Sequence, residues 1–566
     1  GAAVALSEKL LKAGWQVTAL KPNWVVPSSK KAFTKAVKVI GVGDSDNGLD
    51  EAQISDIISQ HDQLDAVIYL QASHTIDAIQ YPEAAKQGLM LAFVLAKLCN
   101  LNSTNKQLST KARPSFVAVT RQGGTLGFAS EQTKAEIKTD LVQAGLSGLV
   151  KTLSHEWSAN EGGVFCRVID LSTHLAADKA ANIINDELLD IDASLVEVAH
   201  DTDNLSGNIG TRLTLVGAKT NSYALNAGNT IDQHSVFLVS GGAKGVTAHC
   251  IIEIAKKYQS RFILLGRSPL LESEEESDVD SDNLDENKND SSEPSWANGH
   301  QDEVALKKAA MQVLIASGEK PTPVKVSQFV RPILANREIV QTLNAIKAAG
   351  GQAHYVAADV TNAAQVTAAV TPLLEKTGPI TGIIHGAGVL ADKFIEQKTL
   401  AEFDAVYRTK IDGLSSLLAV SQVENIKHLV LFSSAAGFYG NPGQSDYSIA
   451  NDILNKTAYR FKALNPSAQV LSFNWGPWDG GMVTPALKRM FNDRGVYIIP
   501  LDAGAKLLVS ELGADTNRCA QILVGNDLSK DQAKDQTTDQ ATTATGERVK
   551  KSQVSRLTTR VVKTLQ

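Results

Sequence analysis

Apolar positions along this chain alternate between two rhythms. Short apolar runs, Gln16–Leu20, Ala66–Leu70, Phe116–Thr120 and Phe165–Leu171, are separated by stretches of helical spacing such as Glu83–Cys99 and Ala135–Trp157. After about residue 230 the alternation repeats with Val236–Val239, Phe262–Leu265, Ala353–Ala357, Gly382–His385, His428–Phe432 and Val470–Asn474. Strands that alternate with helices build parallel sheets, and the helices cover both faces so that each strand reads as a continuous apolar run. The pattern predicts an α/β protein of two doubly wound parallel-sheet subdomains. Residues 1–229 form the first, 230–528 the second, and 529–566 a linker.

Composition changes this picture in two places. The chain of 566 residues carries a formal charge of −6, but ten acidic residues and one lysine fall between Glu272 and Asp290, which leaves the rest at +3. A run of Glu, Asp, Ser and Asn without aromatics buries too little apolar area to offset its ordering entropy. Residues about 270–300 therefore read as a disordered surface insertion. Helical spacing returns over 301–349. Residues 529–546, rich in Asp, Gln, Thr and Lys, read as an interdomain linker, followed by a basic segment with Arg548, Lys550, Lys551, Arg556 and Arg560. The four cysteines show no metal or redox spacing and read as buried residues in a reducing cytosol. No apolar run of about 18 residues and no basic cluster is present, so neither a membrane nor a nucleic-acid partner is expected. The chain opens directly into a helical pattern and stops within one, as a segment of a longer polypeptide would.

Only the second half has a loop suited to phosphate. The run His234–Val239 leads into Ser240-Gly241-Gly242-Ala243-Lys244-Gly245-Val246-Thr247 and then a helix expected from about Ala248. Glycines there let the backbone turn tightly and approach a pyrophosphate seated on a helix N-terminus, as in Rossmann-like folds. The first half has no such loop and reads as a degenerate copy. Gly266-Arg267-Ser268 follows the second strand, where an arginine pairs with a 2′-phosphate and so favours NADPH. Asp359-Val360 and Gly386-Ala387-Gly388 follow the third and fourth strands. Taken singly, each of these is also compatible with an ordinary strand-to-loop turn, and Arg267 with a solvated side chain.

The reactive groups lie further on. Lys410, Ser434, Tyr447 and Asn451 are separated by twenty-four, thirteen and four residues. A carbonyl reductase needs a tyrosine hydroxyl to protonate the developing alkoxide, a serine hydroxyl to hold that oxygen and an ammonium nearby to lower the tyrosine pKa. Most short-chain dehydrogenases supply the ammonium four residues after the tyrosine. Here that position is Asn451, and Lys410 is the candidate instead. A strand-end serine, a half-buried tyrosine and a solvated lysine are the plainer alternatives.

This exchange of lysine and asparagine, with Leu431–Gly437, Gly440–Gln444 and Asn474–Val483, resembles the ketoreductase domains of polyketide and animal-type fatty acid synthases. Ala144–Trp157 resembles the long helix of their structural subdomain, a truncated Rossmann fold that binds no nucleotide. The loop departs from the family pattern at Lys244 and Thr247. With the acidic insertion, it looks most like the ketoreductases of bacterial polyunsaturated fatty acid synthases. The resemblance implies NADPH-dependent reduction of a 3-ketoacyl chain, held on the phosphopantetheine of an acyl carrier domain, among the other domains of a cytoplasmic synthase. It assigns Tyr447 as acid, Ser434 and Lys410 as its partners, and Asn451 as the residue that orders a water or positions Lys410. Family members giving the (3R) product carry Leu-Asp-Asp after the fourth strand, and those giving (3S) carry a tryptophan eight residues before the tyrosine. Leu390-Ala391-Asp392 and Tyr439 stand at these positions, so (3R) is expected, with Asp392 alternatively a helix cap. Two rival readings are a sugar-nucleotide dehydrogenase or epimerase and a catalytically silent structural ketoreductase module. The first would keep its lysine after the tyrosine, and the second usually loses the tyrosine, the lysine or the loop.

Overall fold

The computed structural model describes residues 1–25, 31–44, 48–61, 64–72, 76, 78–99, 101, 113–128, 139–158, 163–202, 209–219, 231–271, 293–514, 519–525 and 555–562. In the first half, α1 (Ala2–Lys12), β1 (Thr18–Pro22), β2 (Lys38–Val42), α2 (Glu51–Ser59) and β3 (Ala66–Leu70) come in that order. They are followed by α3 (Glu83–Leu98), β4 (Ser115–Thr120), α4 (Ala144–Glu156), β5 (Phe165–Leu171), α5 (Ala177–Leu188), β6 (Glu197–Thr202) and β7 (Ile209–Lys219). The second half opens with β8 (Val236–Ser240), α6 (Gly245–Tyr258), β9 (Arg261–Gly266), α7 (Glu303–Ala316), α8 (Pro323–Ala348) and β10 (Gln352–Ala357). Then come α9 (Ala363–Thr377), β11 (Gly382–His385), α10 (Leu400–Val420), β12 (His428–Ser434), α11 (Ala435–Tyr439) and α12 (Ser445–Leu464). The last elements are β13 (Gln469–Trp475), α13 (Pro485–Asp493), α14 (Leu501–Leu512), β14 (Gln521–Val524) and β15 (Ser555–Val562).

The second half is a parallel sheet in the order β10-β9-β8-β11-β12-β13-β14. The chain winds outward in both directions from β8, and the crevice beyond the carboxyl ends of β8 and β11 is where such sheets bind ligands. Largely apolar strands drive this arrangement: every residue of β8 and of β13 is buried.

Several expectations change. The two sheets are one, because β14 continues through β15 to β7, β6, β5, β4 and β3. Residues 555–562 are thus a strand, parallel to both β14 and β7, where a linker was expected. The unpaired backbone edges of β14 and β7 explain this, since each needs hydrogen-bond partners. The linker reading of 529–546 lies outside the described residues. β1 pairs only with β2 in a separate two-stranded sheet, which truncates the first half. α6 begins at Gly245, against an expected start at about Ala248, and α4 at Ala144 after a 3-10 turn at Leu141–Gln143, while residues 135–138 of the expected helical stretch lie outside the described residues.

The acidic core of the insertion, 272–292, lies outside the described residues, but its flank 293–300 is packed. Trp296 stacks on Phe329 of α8 at 5.1 Å, Ala297 is fully buried, and Glu293 pairs with Arg337 at 2.6 Å. These apolar and ionic anchors correct the reading of that flank as disordered. α8 docks on the cofactor-loop side, where Thr342 donates to the Ala243 carbonyl at 2.9 Å.

The halves meet where α4 crosses α12. A Cβ on Gly148 would lie 2.3 Å from the Ser448 carbonyl oxygen, so glycine is what lets the two helix backbones touch. Lys151 donates to Asp452 at 2.9 Å and lies 3.4 Å from Glu197, with all three side chains buried.

Candidate active site

Ser240 ends β8, and its hydroxyl accepts from Ala387 N at 3.2 Å and contacts His385 Nδ1 at 2.7 Å. Burial drives the His385 pKa down to about 3, so the ring is neutral. Its Nε2–H then donates to the Lys410 carbonyl at 2.8 Å, and Nδ1 accepts from Ser240. His385 links the loop after β8 to the helix that carries Lys410. It was missed as a site residue because nothing in its local sequence separates it from any strand-end histidine.

The loop that follows is shaped for a close-approaching ligand. Gly241 has φ +70° and Gly245 φ +61°, both in the left-handed region. A Cβ on Gly242 would strike Val239 at 2.4 Å, and one on Gly386 would strike Thr247 at 2.4 Å. Thr247, one of the two departures from the family pattern, is thus packed against the loop after β11. Lys244, the other, reaches Ser268 at 3.3 Å. A Cβ on Gly245 would meet nothing within 4 Å, so space lies open in front of the first turn of α6. Val246 stands in that turn. The Gly245 N–H is not free: it donates to the Glu338 carboxylate of α8 at 2.8 Å. An anion there displaces a carboxylate that already marks the position as anion-binding.

The other candidate cofactor residues follow the carboxyl ends of β9, β10 and β11. Gly266 lies under Tyr355, whose hydroxyl would be 2.6 Å from a Cβ there. Arg267 is exposed and has no ion-pair partner among the described residues. The Asp359 carboxylate accepts from Thr361 N at 2.9 Å and so shapes its own turn, while Val360 is buried against Gly413. Gly388 faces the reactive lysine: a Cβ on it would sit 3.3 Å from Lys410 Cε. Gly242, Gly266 and Gly386 stand where a Cβ would strike a neighbouring side chain and Gly245 where open space begins, a lining compatible with an extended dinucleotide.

Lys410 projects from α10, a helix opened by the Thr399–Glu402 capping box. Its side chain is 2% exposed, and the ammonium donates to the Phe432 carbonyl at 2.8 Å and lies 5.4 Å from the centre of the Tyr447 ring. The structure therefore brings together the lysine and tyrosine that are thirty-seven residues apart in sequence. Burial without an anionic partner lowers the Lys410 pKa to about 7. Burial likewise pushes Tyr447 up to about 12, with Asp392 adding to the rise. The expected lowering of the tyrosine pKa is absent here, because desolvation acts on both groups and leaves Lys410 only partly charged at neutral pH.

Ser434 ends β12 and its hydroxyl accepts from Ala436 N at 3.1 Å. Asn451 is fully buried one turn after Tyr447, donates to the Tyr447 carbonyl at 2.8 Å and leaves its Oδ1 without a partner among the described residues. Asp392 accepts from Gln444 at 2.9 Å. Tyr439 packs edge-on against Phe438 at 4.8 Å in a small cluster with Leu523, on the seam side of α11.

Residues 235–480 match the KR (ketoreductase) domain family. The chain carries a ketoreductase domain. It is 40% identical over 447 residues to a polyunsaturated fatty acid synthase polypeptide of Thraustochytrium sp., a match that covers 77% of this chain and 14% of that polypeptide. It is 30% identical over 195 residues to polyketide synthase PksN of Bacillus subtilis, covering 33% of this chain and 4% of that protein. The chain thus spans a small part of these relatives. In fold it is similar to an N-terminal ketoreductase from the macrolactin assembly line, with TM-score 0.59, 16% identity, and coverage of 92% of this chain and 84% of that one. It is also similar to A-type ketoreductases from a modular polyketide synthase, with TM-score 0.56, 18% identity, and coverage of 90% and 85%. A ketoreductase domain is an oxidoreductase, and no helix among the described residues is long and apolar enough to cross a membrane.

Proposed function

We propose that this chain reduces a 3-ketoacyl thioester, presented on the phosphopantetheine of an acyl carrier domain, to the (3R)-hydroxyacyl thioester with NADPH. The first half serves as the structural subdomain and the second as the catalytic one, inside a cytoplasmic multidomain polyketide or polyunsaturated fatty acid synthase. The meeting of Lys410 with Tyr447 beside the glycine loop carries this reading. When bound, NADPH supplies the hydride. The exposed Arg267 pairs with its 2′-phosphate, and the open space at Gly245, where a Cβ would meet nothing within 4 Å, leaves room for its pyrophosphate at the first turn of α6.

The chain's own residues manage the proton and the oxygen. Tyr447, held protonated by its raised pKa, gives its hydroxyl proton to the ketone oxygen as negative charge develops there. The Ser434 hydroxyl donates a hydrogen bond to the same oxygen. Lys410 in its charged form stabilises the tyrosinate left behind, and the Asn451 Oδ1 accepts from a water that returns the proton. Such polar contacts are each worth about a hundredfold or more in rate.

Turnover of a small 3-keto thioester surrogate tests this reading. Oxidation of NADPH should exceed that of NADH, chiral chromatography should show mainly the (3R) alcohol, and Tyr447→Phe should lose at least about a hundredfold in kcat while still binding NADPH. Activity of that variant within about tenfold of the parent would overturn the assignment of the acid.

A further inference from the structure

The two loops that border Tyr447 are joined by one side chain from the other half of the molecule. Glu156, in the last turn of α4, is 7% exposed. One of its oxygens, Oε1, accepts from Gly443 N at 2.7 Å, and the other, Oε2, accepts from Ile395 N at 2.9 Å. Gly443 belongs to the loop that leads into α12 and Tyr447. Ile395 ends the loop after β11 that carries Asp392.

Other contacts tie the same two loops to each other. Lys393 N donates to the Gly443 carbonyl at 2.9 Å, and Gln444 Nε2 donates to Asp392 Oδ2 at 2.9 Å. The buried Lys398 ammonium bridges the Ala391 carbonyl at 2.6 Å and Asp446 at 2.7 Å, and that Asp446 oxygen also accepts from Tyr447 N at 2.8 Å. Glu156 is the member of this group that anchors both loops to a rigid element outside them. Burial pushes its pKa up and the two backbone N–H groups oppose that rise, an arrangement that holds only while both loops keep their places.

We propose that Glu156 is a positioning residue that sets the gap between the Asp392 loop and the Tyr447 helix, and through that gap the face of the ketone presented for reduction. The inference rests on the reduction proposed above. A substrate entering beside Asp392 is steered by the loop's distance from the tyrosine, and a displacement of about 1 Å at a reacting centre costs ~100-fold in rate. The first half, which lacks a glycine loop, would then act on the stereochemical outcome without touching substrate.

Glu156→Gln keeps the shape but turns one oxygen into an amide, which faces a backbone N–H donor against donor and releases one loop. The expected result, with the surrogate and NADPH, is a product enantiomer ratio that moves toward racemic and a kcat lower by ~10- to 100-fold, with the Kd for NADPH unchanged. Loss of folded enzyme lowers the amount of product but leaves its enantiomer ratio alone, so the ratio separates positioning from stability. If Glu156→Gln does not fold, Gln444→Ala removes a second strut between the loops and must move the ratio in the same direction. An inactive parent overturns the reduction itself and this inference with it. An active parent whose ratio is unchanged in both variants overturns only the inference.

Discussion

Lys410 shows how burial rather than sequence spacing sets the working state of a reactive group. Its ammonium has one carbonyl partner and a tyrosine ring beside it, and no carboxylate to compensate its desolvation, so its pKa falls to about 7. The charged form is present below that value and is lost as pH rises through it. Tyr447, raised to about 12, stays protonated across the same range and contributes no limb there. If the cation is needed in the transition state, kcat/KM, which reports the free enzyme, should fall tenfold per pH unit above about 7. Lys410→Arg keeps a charge that does not titrate and should abolish that limb, whatever it costs in absolute rate. A parent profile flat from about pH 6 to 9 would show that the lysine charge is not used.

At the scale of elements, the pairing of α8 with α6 brings the inserted segment against the cofactor loop. α8 belongs to the segment inserted after β9, is capped by Thr322 and Pro323, and reaches back to place Glu338 on the first N–H of α6. That N–H and the positive end of the helix would otherwise serve an incoming phosphate. Bound dinucleotide must displace a like charge, so Glu338→Ala should tighten NADPH binding by about two- to fivefold, the scale of a helix-terminus charge effect. Titration of the nicotinamide fluorescence reads this directly, and weaker binding in the variant would mean that Glu338 instead holds the loop in its competent shape.

Across the whole molecule, the two halves behave as one body because α4 and α12 touch through glycine and the sheet runs through both. Gly148→Ala places a methyl 2.3 Å from the Ser448 carbonyl, on the helix that carries Tyr447. Neither backbone can yield without moving the Lys151–Asp452 pair beside it. The variant should lose about 1–3 kcal/mol of stability, seen as a lower thermal midpoint, and lose activity in parallel. An unchanged midpoint would show that the halves part easily at this seam.

The alternation of apolar runs and helical stretches by itself determined the α/β class, most strand positions and the division into a half with a glycine loop and a half without one. Strand periodicity and glycine placement are local properties, and a strand such as Gly382–His385 is bounded where its pattern ends. The spacing of Lys410, Ser434, Tyr447 and Asn451 was legible for the same reason: each sits on an element whose register is set by its own sequence. Contacts between distant segments were not legible. The burial that shifts Lys410 and Tyr447, the reach of Glu156 to two loops more than two hundred residues away, the arrival of Glu338 at the α6 N-terminus and the insertion of β15 between β14 and β7 all depend on which surfaces meet. Only the folded chain decides that, because desolvation and unpaired backbone edges exist only once the elements have packed.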